Sequence, residues 1–316
     1  MAKTEEDLRD SRAIRTRVLE KYGFVPTSVI EPDYSWGKHV IEYDKRKQQA
    51  VAKNKHEKMS YGKERITWDD SSSGQSKADL EKAFGMSSQN VRGKSGGLST
   101  FPPGLAKFII EFYSDKGENI LDPCAGHNSR MQVTYELERN YTGYDVSKEF
   151  MQFNREVKKT ITGQGEQSLM FTPKSTITLR EQSSEKMEED NASIDMIYTS
   201  PPYWDIEYYG EEPEQLGYKH SYQDFLGGIQ RIMNECHRVL KSGRYCIFNI
   251  NDFRKGGEFY PYHCDIMTAM LQSGFKIHDV VIVKWASAIG ACFASQVEER
   301  KITAKGHEYL IVGKKT

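Results

Sequence analysis

Apolar positions along the chain follow two periods. Short runs rich in apolar and β-branched residues end on acids, glycines or prolines, and they alternate with longer segments in which apolar residues recur every three or four positions. The short runs predict strands over 119–121, 141–144, 176–180, 194–198, 244–250, 277–285 and 307–312. The longer segments predict helices over 105–113, 131–139, 222–240 and 261–272. Residues 1–24 are highly charged and read as helical until Val25-Pro26 breaks them, and a second helix is predicted over 44–59. The polar stretches Asp69-Asp70-Ser71-Ser72-Ser73-Gly74 and Arg92-Gly93-Lys94-Ser95-Gly96-Gly97 read as loops or linkers. A boundary near residue 98 follows: an N-terminal helical extension over 1–97 and one sheet domain over 98–316, a division that 316 residues accommodate without a third unit.

Composition narrows the partners. The formal net charge is −1, so any contact with a polyanion must come from a local patch. One stands out: from Trp36 to Arg65 nine Lys and Arg residues face four acids, with Lys45, Arg46 and Lys47 in succession and Tyr43, His56 and Tyr61 interleaved. Such a segment suits phosphates, although a solvated basic helix has the same composition. No apolar stretch is long enough to cross a bilayer and the charged start, Met1 to Asp7, is unlike a signal peptide, so a soluble, cytoplasmic protein is expected. Five scattered cysteines without a Cys-x-x-Cys pair argue against a zinc site and a disulfide framework. The acidic run from Glu185 to Asp190 is read as a solvated helix face without a role.

Two strand ends carry candidate chemistry. After the apolar run 194–198 comes Thr199-Ser200-Pro201-Pro202-Tyr203. Two prolines remove two backbone donors and hold Ser200 extended, so nearby carbonyls are left as outward-facing acceptors for an amino group, and Tyr203 offers a face for a planar ring. Upstream, Asn119-Ile120-Leu121 runs into Asp122-Pro123-Cys124-Ala125-Gly126, the start of a nucleotide-binding turn, and the next strand ends at Asp145, where an acid is placed to meet ribose hydroxyls. The Gly-x-Gly-x-x-Gly run of a nicotinamide dehydrogenase is missing, and Gly93-Lys94-Ser95 lacks the upstream glycine of a phosphate-binding loop.

Together these segments resemble motifs I and IV of the S-adenosylmethionine-dependent DNA methyltransferases that modify exocyclic amines, making N4-methylcytosine or N6-methyladenine. Thr100-Phe101-Pro102-Pro103 and the following helix resemble motif X of that family. The resemblance spans about residues 99 to 316, and more weakly Tyr22 to Ile30, where it is similar to phage-type members. It implies a three-layer Rossmann-like α/β fold with a mainly parallel seven-stranded sheet, its last two strands an antiparallel hairpin. It implies S-adenosylmethionine as cofactor, held by Phe101 and Pro102 at the methionine end, by the turn Asp122, Pro123, Cys124, Ala125, Gly126 and Asn128, and by Asp145 at the ribose. Tyr144 and Val146 are placed to frame the adenine.

Two departures from the family pattern shape the expected site. Many members carry a second glycine where this chain has Asn128, and Asn128 is expected to keep the turn because asparagine tolerates a left-handed backbone. Where relatives place an Asp against the adenine amine this chain has Gln182, expected to accept the same bond. The catalytic set implied is Ser200, Pro201, Pro202 and Tyr203, acting on a base flipped out of DNA, and serine at the first position favours cytosine N4 over adenine N6. Trp204, Asp205, Lys45, Arg46 and Lys47 are candidate DNA contacts. Target reading is expected from the first hundred residues and the loops 204–220 and 286–305. Similar loops also serve methyltransferases of protein amides and of RNA, and a catalytically dead cofactor-binding module is the alternative from another class.

Overall fold

A computed structural model describes residues 16, 18–20, 26–41, 101–163, 175–206, 209, 212–285, 301–303 and 305–316. Lys45, Arg46, Lys47, the linker candidates and most of the loop 286–305 lie outside the described residues.

A sheet of eight strands forms the middle layer, in the order β1 (Val29–Ile30), β9 (Lys276–Lys284), β10 (His307–Lys314), β6 (Leu240–Ile250), β5 (Ile194–Thr199), β2 (Asn119–Asp122), β3 (Asn140–Asp145) and β4 (Ile177–Glu181). Pairings are parallel except those of β10, which runs antiparallel to both β6 and β9. Seven of these strands correspond to the predicted runs. The eighth, β1, corrects the expected count: Val29 and Ile30 pair with Ile282 and Val283 and extend the sheet beyond β9.

Both faces of the sheet are covered, which explains why β5 is buried at every position instead of alternating. Met196 and Tyr198 face one layer, with Ile109 and Ile110 of α1 (Pro103–Tyr113); Ile194 and Ile197 face the other, with Phe225, Ile229 and Met233 of α4 (Tyr222–Val239) and Ile266 and Met270 of α5 (Tyr262–Gln272). The buried positions of α4, Phe225, Gly228, Ile229, Ile232, Met233 and Cys236, repeat at helical spacing. Its start is set by Ser221, whose hydroxyl accepts from the Asp224 N–H at 3.1 Å. Proline at the first position starts α1, where the missing N–H costs nothing. α2 (Ser129–Glu136) and α3 (Lys148–Ile161) cover the β3–β4 end.

Residues 26–41, expected in the extension, build part of this body. Ile30 and Val40 are buried in the core around α1, and the Ile41 carbonyl accepts from the Asn128 side chain at 2.9 Å. The acidic run 185–190 is not helical, which corrects the expectation. It is a loop tied down by cations: Glu185 pairs with Arg231 at 2.6 Å, and Glu188 with Arg180 at 2.7 Å. A small second sheet, β7 (Phe253–Lys255) with β8 (Glu258–Tyr260), stands beside the main one and escaped the sequence patterns. The strand order reverses between β2 and β5, and ligands of open α/β sheets bind outside the carboxyl ends of strands at such a point.

Candidate functional site

At that reversal the loops after β2 and β5 are bonded to each other. The Thr199 hydroxyl donates to Asp122 Oδ1 at 2.7 Å and accepts from the Cys124 N–H at 3.2 Å. Asp122 is fully buried. Its other oxygen accepts from Arg130 Nε at 2.7 Å and from the Tyr141 hydroxyl at 3.1 Å. Arg130 Nη2 donates to the carbonyls of Cys124 and Ala125, at 2.7 and 3.1 Å, and the guanidinium stacks over Phe101 at 5.1 Å. Burial alone would lower the Arg130 guanidinium, but Asp122 beside it more than offsets that and holds it above its ordinary value. Asp122 therefore shapes the turn and does not line the cavity.

Asn128 does not keep the turn by the expected left-handed backbone. Its backbone is right-handed, φ −58°, and its side chain is spent on Ile41 and Gln132. The one left-handed position of the turn is Gly126, φ 55°, and a Cβ built there would meet nothing within 4 Å. Bonds from Arg130 to the Cys124 and Ala125 carbonyls thus stabilise the turn.

The cavity these loops enclose holds about 1060 Å³ of non-atom space, part of it open to solvent. Its wall brings together Phe101, Pro102, Pro123, Cys124, Ala125 and Gly126 with Asp145 and Gln182, and then with Ser200, Pro201, Pro202 and Tyr203. Val146 lines it as well, whereas Tyr144 is buried in the core with its hydroxyl on Glu189 at 2.5 Å. Asp145 accepts from the Gly126 N–H at 2.7 Å and from the Ser147 N–H at 2.8 Å, and burial raises its carboxyl from 3.8 to about 6. Burial also pushes the Cys124 thiol well above its ordinary value, with Asp122 and Asp145 adding to it, so its surroundings disfavour a thiolate.

In the second loop neither the Ser200 hydroxyl nor the Pro201 carbonyl has a hydrogen-bond partner among the described residues, while the Pro202 carbonyl accepts from the Tyr262 hydroxyl at 3.5 Å. Tyr203 is held edge-on by Phe253 and Tyr262, with ring centroids 5.9 and 6.0 Å away. Trp204 and Asp205, candidate DNA contacts, do not line the cavity. The Trp204 Nε1–H donates to the Lys219 carbonyl at 2.9 Å, the Lys255 ammonium lies 3.9 Å over its ring, and the same ammonium bonds the Asp205 carboxylate.

Sequence patterns missed several wall residues. Arg130 was masked because its helix reads as ordinary and polar. Asn249, at the end of β6, and Glu308, at the start of β10, come from strands distant in sequence, and Asn249 donates to Glu308 at 2.6 Å. A polar residue closing an apolar strand next to the one that bears Ser200 was the only available signal for Asn249. The acids on the wall, Asp145, Glu214 and Glu308, outnumber its one guanidinium, which is already paired, so the cavity suits a cationic ligand.

A family model described as DNA methylase, of the N6/N4 methyltransferase type, matches residues 20–156 and 194–316. The type II methyltransferase M.Cfr9I of Citrobacter freundii is 30% identical over 106 residues, 31% of this chain and 35% of that protein. The type II methyltransferase M.MjaVI of Methanocaldococcus jannaschii is 32% identical over 93 residues, 29% of this chain and 45% of its own length. The chain thus spans less than half the length of these relatives. A solved S-adenosylmethionine-dependent methyltransferase of Methanosarcina mazei aligns with 69% of this chain and 99% of its own, at 13% identity and a TM-score of 0.44.

Proposed function

The chain belongs to the N6/N4 DNA methylase family, and from that membership we propose that it transfers a methyl group from S-adenosylmethionine to an exocyclic amine of a DNA base, cytosine N4 being the preferred target. One observation carries this most directly: the turn around Gly126 and the loop Ser200 to Tyr203 open into one cavity and are bonded through Thr199 and Asp122. A donor held by the first would face a base held by the second.

The cavity fits the cofactor on its own terms. The left-handed turn at Gly126 leaves open the space a Cβ would fill, Asp145 beside it keeps lone pairs free for hydroxyl donors, and the wall carries excess negative charge. Phe101 and Pro102 would cover the methionine end, Asp145 the ribose, and Val146 and Gln182 the adenine. When bound, S-adenosylmethionine supplies an electrophilic methyl on a sulfonium leaving group.

The amine of cytosine or adenine is a poor nucleophile because its lone pair is delocalised into the ring. Accepting its hydrogens at Ser200 Oγ and the Pro201 carbonyl lets the nitrogen turn toward tetrahedral geometry. Tyr203, fixed by Phe253 and Tyr262, supplies the face against which a flipped base rests. Orientation and charge placement provide most of the acceleration, and the proton leaves to water after attack. Surroundings that disfavour a Cys124 thiolate agree with direct transfer to nitrogen and no covalent enzyme–base adduct. Serine at position 200 supports cytosine through the family pattern.

Incubating the protein with unmethylated genomic DNA and S-adenosylmethionine, followed by digestion and mass spectrometry of nucleosides, tests this. N4-methylcytosine is the expected product. N6-methyladenine would move the target to the other base, and methyl found only in RNA or protein would overturn DNA as substrate.

A further inference from the structure

The β7–β8 hairpin has two unlike faces. Inward, Phe253 and Tyr260 stack at 5.0 Å and pack on Tyr203, Trp204 and Tyr222, while Lys255 bonds Asp205. The grip matters, because Asp205 sits at φ 49°, a left-handed conformation rare outside glycine, and its N–H is tied to the Gly217 carbonyl at 2.8 Å. Outward, cross-strand partners Arg254 and Phe259 face solvent. Phe259 is 46% exposed, the Arg254 guanidinium lies 4.9 Å from its ring, and the Lys305 ammonium 5.8 Å. Arg254 meets no carboxylate among the described residues.

An exposed aromatic with an exposed guanidinium over its ring complements a polyanion whose bases offer flat apolar faces, whereas the Lys305 ammonium is already paired with Asp252. Extruding a target base leaves its neighbour with an uncovered face beside the catalytic loop. We infer that the outer face of this hairpin binds the DNA strand that carries the target base, Arg254 donating to a backbone phosphate and Phe259 packing on the base left unstacked. The assignment rests on DNA as the substrate. It makes the hairpin a single lever, with DNA on one face and the Ser200–Asp205 loop on the other.

The test uses the full chain and a methylatable duplex, with steady-state kinetics at several salt concentrations. Arg254→Ala should raise KM for DNA about tenfold, leave kcat unchanged, and reduce the slope of log(kcat/KM) against log[salt] by about one. Arg254→Lys should keep the slope. Phe259→Ala should raise KM for DNA about tenfold without altering the slope. In all three variants calorimetric affinity for S-adenosylhomocysteine should match wild type. If the double alanine variant keeps the wild-type KM and slope while the wild type methylates DNA, the hairpin does not meet DNA. Loss of cofactor affinity in step with KM would show that it merely supports the loop, and would also overturn the assignment. A wild type that transfers nothing to DNA would sink the proposed function and this assignment with it.

Discussion

Asp122 and Ser200 end neighbouring strands, yet their side chains meet opposite fates. Asp122 is spent on Arg130, Thr199, Tyr141 and the Cys124 N–H, while Ser200 keeps its hydroxyl free at the cavity. The two should therefore fail differently on substitution. Asp122→Ala leaves a buried guanidinium uncompensated and should cost about 3 kcal/mol of stability in urea unfolding, with Arg130→Met added to it recovering part of the loss. Ser200→Ala should leave stability and cofactor titration near wild type and abolish methyl transfer; Tyr203→Ala should abolish transfer as well, but with a loss of stability, because it removes a half-buried ring packed on Phe253 and Tyr262. Full activity in Ser200→Ala would remove its hydroxyl from the mechanism. The strand-end acids were legible in sequence; that Asp122 turns inward was not, because Arg130 lies eight residues on and its partner is known only once α2 folds back over the turn.

Among elements, the turn after β2 and the segment 26–41 carry the sharpest expectations. Gly126→Ala forces a side chain into φ 55° and into the cavity, so it should cost about 1 kcal/mol in stability yet lower cofactor affinity more than tenfold by calorimetry. α1 starts against the other segment: a Cβ at Gly104 would lie 2.0 Å from the Asp33 carbonyl oxygen. Gly104→Ala should therefore destabilise by about 2 kcal/mol in urea unfolding, and a neutral result would mean that residues near Asp33 do not rest on α1. Strands β2 to β6 were readable from their apolar runs. β1 was not, since two residues carry no period, and the β7–β8 hairpin was not, since three-residue strands around Gly256-Gly257 look like any polar turn.

For the whole molecule, a near-neutral chain encloses an acidic cavity, and its pH response follows from Asp145. Burial raises this carboxyl to about 6 in the folded protein, so the fold holds the proton more tightly than the unfolded chain does. That contribution to stability is fully present below 3.8 and is lost as pH rises through 6. Cofactor binding has the opposite sign, because the ionised carboxylate is the better acceptor for ribose hydroxyls. The thermal stabilisation given by S-adenosylhomocysteine should shrink as pH falls from 7 to 5, and Asp145→Asn should flatten that dependence. A stabilisation that does not vary between pH 5 and 7 in wild type would take Asp145 out of the ribose site.

Local order of residues was enough for the α/β alternation, the two strand-end loops and the family they resemble, because apolar period and chain stiffness are properties of short segments. No helix among the described residues is long and apolar enough to cross a membrane. Folding alone decided which polar groups face each other. Arg130 with Asp122, Asn249 with Glu308, and the hairpin against Trp204 and Asp205 are contacts between segments far apart or differently patterned, and their energies depend on burial that no single segment specifies. A carboxylate at a strand end looks the same in sequence whether it will bind a ligand or a buried arginine; the difference lies in which neighbour the fold brings within 3 Å.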